Sequence, residues 1–180
     1  MLRFHGLGRG KPVRQPEGSS GTARKAPAEI RVQKDLDNID LPPNSSISFE
    51  DRAKILEFKI SLLPDEGFWQ GANFLFDFTI PYSYPHDPPK VKCSTKIFHP
   101  NIDLQGNICL NVLRQDWKPV LSISTIVFGL LHLLLEPNTD DPLNPQAAEV
   151  LRLNQAEFSR LVRSSLRGET IRGESFPRLI

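Results

Sequence analysis

The sequence has few cysteines and no excess of charge of either sign. Its 180 residues include only Cys93 and Cys109, and 22 Lys and Arg residues balance 21 Asp and Glu residues, a net charge of +1. Cysteines this sparse and this far apart form neither a CxxC redox pair nor a secreted disulfide scaffold. A near-zero net charge gives no field that steers toward nucleic acid or membranes. We therefore expect reduced thiols in a cytosol-like compartment, and neither nucleic acid nor membrane as a partner.

Long apolar runs and nucleotide-binding motifs are also missing. No apolar run reaches the roughly 18 residues that span a bilayer, and the N-terminus lacks the apolar core of a signal peptide. There is no P-loop and no GxGxxG motif. His132 stands among leucines with no second ligand three or four residues away, so we predict a packing role for it. The sequence predicts no metal and no bound cofactor.

The N-terminal segment, residues 1–26, does not have the composition of a folded domain. It mixes Gly, Pro, Ser, Arg and Lys with the scattered apolar residues Leu2, Phe4 and Leu7. Such a segment cannot bury enough surface to order itself. It is either a flexible leader or a docking peptide whose apolar residues enter a groove of a partner. Residues 27–168 suit one compact domain, and residues 169–180 are predicted to be a C-terminal tail.

Hydrophobic periodicity predicts the elements of that domain. The spacing of Val32, Leu36 and Ile39 predicts a helix that starts at Pro27. Alternating apolar residues predict strands over 56–62 and 74–80, with shorter strands at 47–49 and 90–93. The prolines of residues 84–90 predict a rigid, extended linker before the last strand.

The C-terminal half is predicted to be helical. The apolar run 126–135 predicts a helix, capped by Ser122 or Ser124 and buried on nearly every side. A short helix is expected over 145–151, and a last helix starts at an Asn154–Glu157 capping box and ends at Gly168. Phe158, Leu161, Val162, Ser165 and Leu166 are predicted to form its buried stripe. A helix, a four-stranded antiparallel meander, an active segment and three helices make an α+β fold.

The segment 99–120 carries the most distinctive chemistry. Gly106 and Asn107 suit a turn, so the thiol of Cys109 is predicted to lie just past a sharp bend. The sequence His99-Pro100-Asn101 predicts a stiff turn, because proline fixes its own φ and lacks a backbone donor. A thiolate is both a good nucleophile and a good leaving group, so Cys109 can accept an acyl group from another thioester and pass it to an amine.

The neighbourhood of Cys109 lacks an obvious general base. Only His99 is close in sequence, and we assign it to holding a backbone group in the turn, so a cysteine hydrolase is poorly supported. Transfer to an amine creates a tetrahedral oxyanion, and the amide of Asn101 can either stabilise it or tie its own loop together. Asp141 can orient or deprotonate the attacking lysine, or act only as a turn residue before Pro142.

These motifs, in this order, resemble the ubiquitin-conjugating enzyme family over roughly residues 27–167. The matching positions are Tyr84-Pro85, Pro88-Pro89, His99-Pro100-Asn101, Gly106, Ile108-Cys109-Leu110, Trp117, Pro119 and Asp141-Pro142. Within the family the chain is most similar to the branch that conjugates the modifier of the neddylation pathway. PDEGF at 64–68, YPHDPPKVKC at 84–93, DWKPVLSI at 116–123 and LEPN at 135–138 carry that similarity.

The resemblance implies a transferase that carries a ubiquitin-like modifier as a thioester on Cys109. It implies catalytic roles for Asn101 and Asp141, with His99 and Pro100 supporting the site. Partners would be an activating enzyme, which uses the ATP, a RING-type ligase and cullin substrates. Met1, Leu2, Phe4 and Leu7 would dock on partners, and Cys93 and Pro119 would lie near the ligase surface. The alternatives are a ubiquitin-conjugating enzyme and an inactive binding module of the same fold.

Overall fold

A computed structural model describes residues 25–180. The tail residues Met1, Leu2, Phe4 and Leu7 lie outside this range, so their predicted docking role stays a prediction. The element order is α1 Pro27–Asp37, β1 Ser45–Ser48, β2 Glu57–Leu62, β3 Phe74–Thr79, β4 Lys90–Cys93, α2 Ile123–Leu135, α3 Pro145–Leu153, α4 Gln155–Leu166, β5 Thr170–Ile171 and β6 Glu174–Ser175. This order confirms the predicted α+β fold.

The four long strands form one antiparallel meander in the order β1-β2-β3-β4. Phe58 pairs with Phe78, which in turn pairs with Val91, so the alternating apolar residues share one face of the sheet. The rings of Phe58 and Phe78 stack with centroids 5.1 Å apart. A single core cluster joins this face to side chains from all four helices, among them Val32, Ile126, Ala147 and Phe158. The alternation of apolar and polar residues in the sequence therefore predicted both the strands and the face of the sheet that is buried.

The two helices that flank the four-stranded sheet in the sequence, α1 and α2, differ from the prediction in detail. Helix α1 ends at Asp37, so Ile39 lies beyond it and packs on the core from the following loop. Helix α2 starts at Ile123 with Ser122 at the N-cap position, but the Ser122 side chain does not form the predicted capping hydrogen bond. The prediction that α2 is buried on nearly every side is wrong, because Thr125, Phe128 and the predicted packing residue His132 are exposed. Their spacing of three and four residues makes one solvent-facing stripe.

The last helix follows the prediction closely. The Asn154 side chain accepts a hydrogen bond from the Glu157 N–H at 3.0 Å, which is half of the predicted capping box. The Glu157 carboxylate does not return the bond, because it pairs with Arg160 at 2.6 Å. The buried residues of α4 are the five of the predicted stripe. Gly168, at a φ of 85°, ends the helix by donating to the carbonyl of Ser165.

Two segments contradict their predicted conformation. Residues 169–180 are not a separate tail, because β5 and β6 form a hairpin, and Ile171 of β5 and Phe176, which follows β6, are buried in the core. The linker before β4 is not extended, because consecutive tight turns fold it back. One of these turns closes with a 2.9 Å bond from the Tyr84 N–H to the Pro81 carbonyl. No helix within residues 25–180 is long and apolar enough to cross a membrane.

Candidate active site

The thiol-bearing segment is stapled to the end of β4 through a glycine turn. The Gly106 N–H donates to the Asp103 carbonyl at 3.0 Å, and the Gly106 carbonyl accepts from the Cys93 N–H at 2.9 Å. Gly106 has a φ of 79°, and a Cβ atom there would stand 2.1 Å from the Cys93 carbonyl oxygen. Only glycine fits, because a side chain would be both strained and in collision with backbone. The turn therefore fixes the start of the segment that leads to Cys109.

Cys109 lies three residues after Gly106 and is partly exposed. Its N–H donates to the Asn101 carbonyl at 2.8 Å, and an antiparallel bridge joins the neighbouring residues Ile102 and Ile108. These bonds lay the thiol segment alongside the turn formed by residues 99–102. The sulfur is consequently held on a fixed backbone, past a sharp bend, with access to solvent.

His99 holds the backbone of that turn and is fully buried. Its Nδ1 accepts a hydrogen bond from the Asn101 N–H at 2.9 Å, and its Nε2–H donates to the Leu133 carbonyl at 2.9 Å. Its ring stacks on Trp69 with centroids 4.4 Å apart. Burial lowers the pKa of His99 to about 4. Because both ring nitrogens are engaged and the ring is neutral at pH 7, His99 is not available as a general base for Cys109.

The Asn101 side chain ties the turn to the loop after α2. Its Nδ2 donates to the Asn138 carbonyl at 2.8 Å, and its Oδ1 accepts from the Asn138 N–H at 2.8 Å. The residue is 2% exposed. This pair is the loop-tying role that the sequence left open. The amide nitrogen carries two protons, so one N–H remains beyond the bond to Asn138.

Asp141 lies in the same loop, between two anchors. Asn138 is held by Asn101, and the Asn144 N–H donates to the Pro100 carbonyl at 2.9 Å. Asp141 itself is exposed and has a φ of 47°. The structure thus brings the loop of Asp141 to the turn that also holds Cys109, and Pro100 provides one of the two attachment points.

The two residues predicted to face a ligase have different environments. Cys93 is 5% exposed, because it is on the core-facing side of β4, and burial raises the pKa of its thiol to about 12. The Cys93 side chain is therefore part of the core, and its predicted place near the ligase surface stays a prediction. Pro119 is exposed, and its carbonyl accepts a 3.0 Å bond from Arg31.

The most exposed apolar side chains of two loops near Pro119, one between β3 and β4 and one before α2, were not predicted from the sequence. Tyr82 is 78% exposed and Val120 is 83% exposed. The Trp117 indole N–H joins the two loops by donating to the Pro85 carbonyl at 2.8 Å. Arg31 supports them from α1 by donating to the Leu121 carbonyl at 2.8 Å. Large apolar residues in proline-rich loops were the available signal for this surface.

No group of three His, Cys, Asp or Glu side chains within the described part of the chain is arranged to hold a metal ion. The site is instead a thiol on a hydrogen-bonded backbone segment, an amide in the adjacent turn and an aspartate in an anchored loop. These are the parts of an enzyme that carries an acyl group on cysteine.

Comparison with known proteins identifies the family. Residues 31–166 match the model of the ubiquitin-conjugating enzyme family. The chain belongs to this family of transferases, which confirms the resemblance seen in the sequence.

Similar proteins include the NEDD8-conjugating enzyme Ubc12 of Dictyostelium discoideum, which is 52% identical over 161 residues, 89% of this chain and 70% of that protein. The Nedd8-conjugating enzyme UbcE2M of Drosophila melanogaster is 45% identical over 176 residues, 98% of this chain and 96% of that protein. The solved structure of Saccharomyces cerevisiae Ubc12 superposes with a TM-score of 0.83 at 40% identity, covering 89% of this chain and 90% of that one.

Proposed function

We propose that this conjugating enzyme accepts NEDD8 from an activating enzyme as a thioester on Cys109 and transfers it to substrate lysines, on cullins with a RING-type ligase. The relatives described above, similar along most of the chain, are NEDD8-conjugating enzymes by name. The observation that carries the proposal is the partly exposed Cys109 thiol, held by Asn101 in a member of this family.

The first step is an exchange between two thioesters. The Cys109 thiolate attacks the modifier's carbonyl carbon, a new C–S bond forms, and the activating enzyme's thiolate leaves. The attacking and the leaving groups are both thiolates, so the thioester exchange needs little driving force and no strong base at Cys109. The engagement of both His99 nitrogens fits this requirement and argues against a cysteine hydrolase.

The second step transfers the modifier to an amine. The lysine nitrogen attacks the thioester carbonyl, a tetrahedral oxyanion forms, and the Cys109 thiolate leaves as the amide bond is completed. We assign the remaining Asn101 N–H to stabilising the oxyanion, and the tie to Asn138 to holding that amide in place. Asp141, exposed in the anchored loop, orients the incoming lysine and accepts its proton. An inactive binding module would have no use for this set of residues.

Two further surfaces belong to partners in this proposal. Residues 1–26 dock on the activating enzyme through Leu2, Phe4 and Leu7, and Met1 and Leu2 also enter a ligase groove. The two joined loops that expose Tyr82 and Val120, with Pro119 between Trp117 and Val120, form the ligase-binding surface. Exposed large apolar side chains on a supported surface are typical of such an interface.

The activating enzyme uses the ATP in this scheme, and the conjugating enzyme itself binds no nucleotide or other cofactor. We place the protein in the cytoplasm and nucleus, where thiols stay reduced, since both of its cysteines are free.

A charging assay tests the choice of modifier. The protein is incubated with ATP and the matched activating enzyme for NEDD8, for ubiquitin or for another ubiquitin-like modifier, and the products are separated on non-reducing gels. We expect charging with NEDD8 to be fastest by a wide margin. Faster charging with ubiquitin would contradict the assignment and favour a ubiquitin-conjugating enzyme.

A further inference from the structure

A basic groove lies beside the thiol segment. Its volume is about 680 Å³, and it runs between β4, the turns before β4 and the backbone on both sides of Cys109. The charged side chains that line it are Lys90, Lys92 and Arg114 on the positive side and Asp87 on the negative side. Ile108, the residue before Cys109, also lines it. A ligand in this groove therefore reaches the residue next to the reactive thiol.

One wall of the groove is the outer edge of β4, which Gly106 covers at Cys93 and which is open at Val91. The sheet order leaves β4 with a strand neighbour on one side only. The Cys93 N–H points away from β3, because it donates to the Gly106 carbonyl. Residues two apart on a strand direct their backbone groups to the same edge, so the N–H and C=O of Val91 face the groove. Within residues 25–180 neither group has a partner outside the sheet.

Lys90 and Lys92 stand on one face of that edge strand, and both are exposed. Neither lysine forms an ion pair with a carboxylate in the described part of the chain. Asp77, the cross-strand partner of Lys92, is 3.7 Å from Lys59 instead. Residues two apart on a strand are about 6.7 Å apart, which is also the spacing of alternate side chains in any extended peptide beside it.

Arg114 supplies the third cation at the end of the groove next to the thiol. Its Nη2 donates to the Ile108 carbonyl at 3.1 Å, so the guanidinium is held against the residue before Cys109. This bond uses one of five N–H donors, and the others can bind a carboxylate.

We propose that this groove binds an extended acidic segment of the acceptor protein, next to the lysine that is modified. The segment adds to the edge of β4 through the backbone of Val91, and carboxylates at alternate positions pair with Lys90 and Lys92. A further carboxylate reaches Arg114 as the chain approaches Cys109. The three cations against one anion repel a lysine-bearing segment that lacks such acidic residues. The inference rests on the proposed function, because it assumes an acceptor lysine at Cys109.

Lysines and prolines at a sheet edge also prevent aggregation. If that were their only role here, binding of a peptide would not depend on the spacing of its glutamates. Three peptides of nine residues separate the two roles. Each contains one lysine, and they carry two glutamates at alternate positions, two glutamates at adjacent positions, or glutamines in place of both. The peptides are titrated into the full-length protein that carries no modifier on Cys109. Binding is followed by the backbone amide signals of Val91 and Lys92 in NMR spectra.

We expect the alternate-glutamate peptide to bind about fourfold more tightly than the glutamine peptide, roughly twofold for each of two exposed charge pairs. The adjacent-glutamate peptide should fall between them, because only one of its glutamates lies on the lysine face. Raising the salt concentration should remove most of the difference. Equal binding of the three peptides would overturn the proposal.

Charge reversal at the groove provides the matched test. The double variant Lys90→Glu with Lys92→Glu should lose the preference for the alternate-glutamate peptide over the glutamine peptide. The double variant Lys90→Gln with Lys92→Gln should lose less of this preference. Lys54→Glu makes the same kind of change on an exposed lysine in the loop between β1 and β2, outside the residues that line the groove, and should keep the preference. Retention of the preference by both groove variants would overturn the proposal.

Discharge from the charged enzyme links the groove to the reaction. Transfer to the alternate-glutamate peptide should have a several-fold lower KM than transfer to the glutamine peptide, with discharge to free lysine unchanged by the groove variants. The binding titration does not depend on charging, so failure to form any thioester would contradict the proposed function alone. Equal KM values for the peptides would overturn the groove assignment while leaving the proposed function intact.

Discussion

The Asn101 carbonyl accepts the Cys109 N–H at 2.8 Å, and this bond joins the segment that carries the Cys109 thiol to the turn that carries the Asn101 amide. The same turn is buttressed by His99, and the other end of the thiol segment is held by Gly106 against Cys93. The position of Cys109 therefore depends on both attachments. Changes at either one should move the thiol without touching it.

Substituting alanine for Gly106 tests the attachment to β4. The new Cβ would meet the Cys93 carbonyl oxygen at 2.1 Å, on a backbone with a φ of 79°. We expect Gly106→Ala to lower the free energy of unfolding by about 2–5 kcal/mol, the combined cost of left-handed backbone and overpacking, and to slow charging. Urea unfolding and single-turnover charging measure the two effects.

Gly71→Ala is the matched control, because Gly71 has a φ of 82° but nothing within 4 Å of the added Cβ. It should cost only about 1–2 kcal/mol and leave charging unchanged. Equal losses in the two variants would show that the contact with Cys93 has no special importance.

Asn101→Ala separates the two chemical steps. Only transfer to an amine depends on the assigned N–H, so charging should stay nearly intact while discharge to lysine slows about a hundredfold, or about 3 kcal/mol. Pre-steady-state charging and lysine-discharge assays measure each step.

Asn138→Pro is its control, because it removes the N–H that the Asn101 Oδ1 accepts and leaves the amide itself in place. Discharge should be slower in Asn101→Ala than in Asn138→Pro. The same rate in both would mean that Asn101 acts only by holding the loop.

The pKa of His99 makes stability depend on pH. Burial lowers this pKa from 6.5 to about 4, so the unfolded chain takes up a proton at a pH where the folded chain does not. The contribution of the neutral ring is complete above pH 6.5 and is lost as the pH falls toward 4, a change of about 3 kcal/mol. Urea unfolding of the wild type and of His99→Gln across this range should show a steeper acid-side decline in the wild type. Parallel curves would contradict the assignment.

Deletion of the N-terminal tail, residues 1–26, should weaken charging but not discharge. Each buried large side chain of Leu2, Phe4 and Leu7 should contribute about 1.5–3 kcal/mol to docking before ordering costs. Deleting residues 1–26 should raise the concentration of activating enzyme needed for half-maximal charging and leave discharge to free lysine unchanged. Identical charging of truncated and full-length protein at limiting activating enzyme would make the tail a passive leader at that step.

The parts of the fold that the sequence predicted are those with a strong periodic signal. The alternation over β2 and β3, and the stripe from Phe158 to Leu166, each identified an element together with its buried face. The hairpin at the C-terminus was missed, because Ile171 and Phe176 are isolated apolar residues in a polar stretch and are buried only by contact with distant elements. Helix α2 was judged too apolar to have an exposed face, although Phe128 lies on one.

The sequence predicted where the site lies in the chain but not the long-range contacts that bring its residues together. The spacing of residues 99–109 indicated a thiol past a turn, since glycine and proline act locally. The pairing of Asn101 with Asn138 joins segments 37 residues apart, and no local pattern encodes it. The same limit applies to the carboxylate of Asp35, which binds the hydroxyl of Tyr84 and so links α1 to the turns before β4. Cys93 is likewise buried because its side chain is on the core-facing side of β4, although it is the last residue of that strand.

The identity of the adduct on Cys109 is the most direct test of the account. Wild-type protein charged with NEDD8 should give a band that reductant removes, and Cys109→Ser should give a slower-forming band that resists reductant, because an alkoxide leaves less readily than a thiolate. Cys93→Ala should charge like the wild type, since that thiol is buried and its raised pKa keeps it protonated. Cys109→Ala should form no adduct. An undiminished, reductant-sensitive adduct on Cys109→Ala would contradict the central claim.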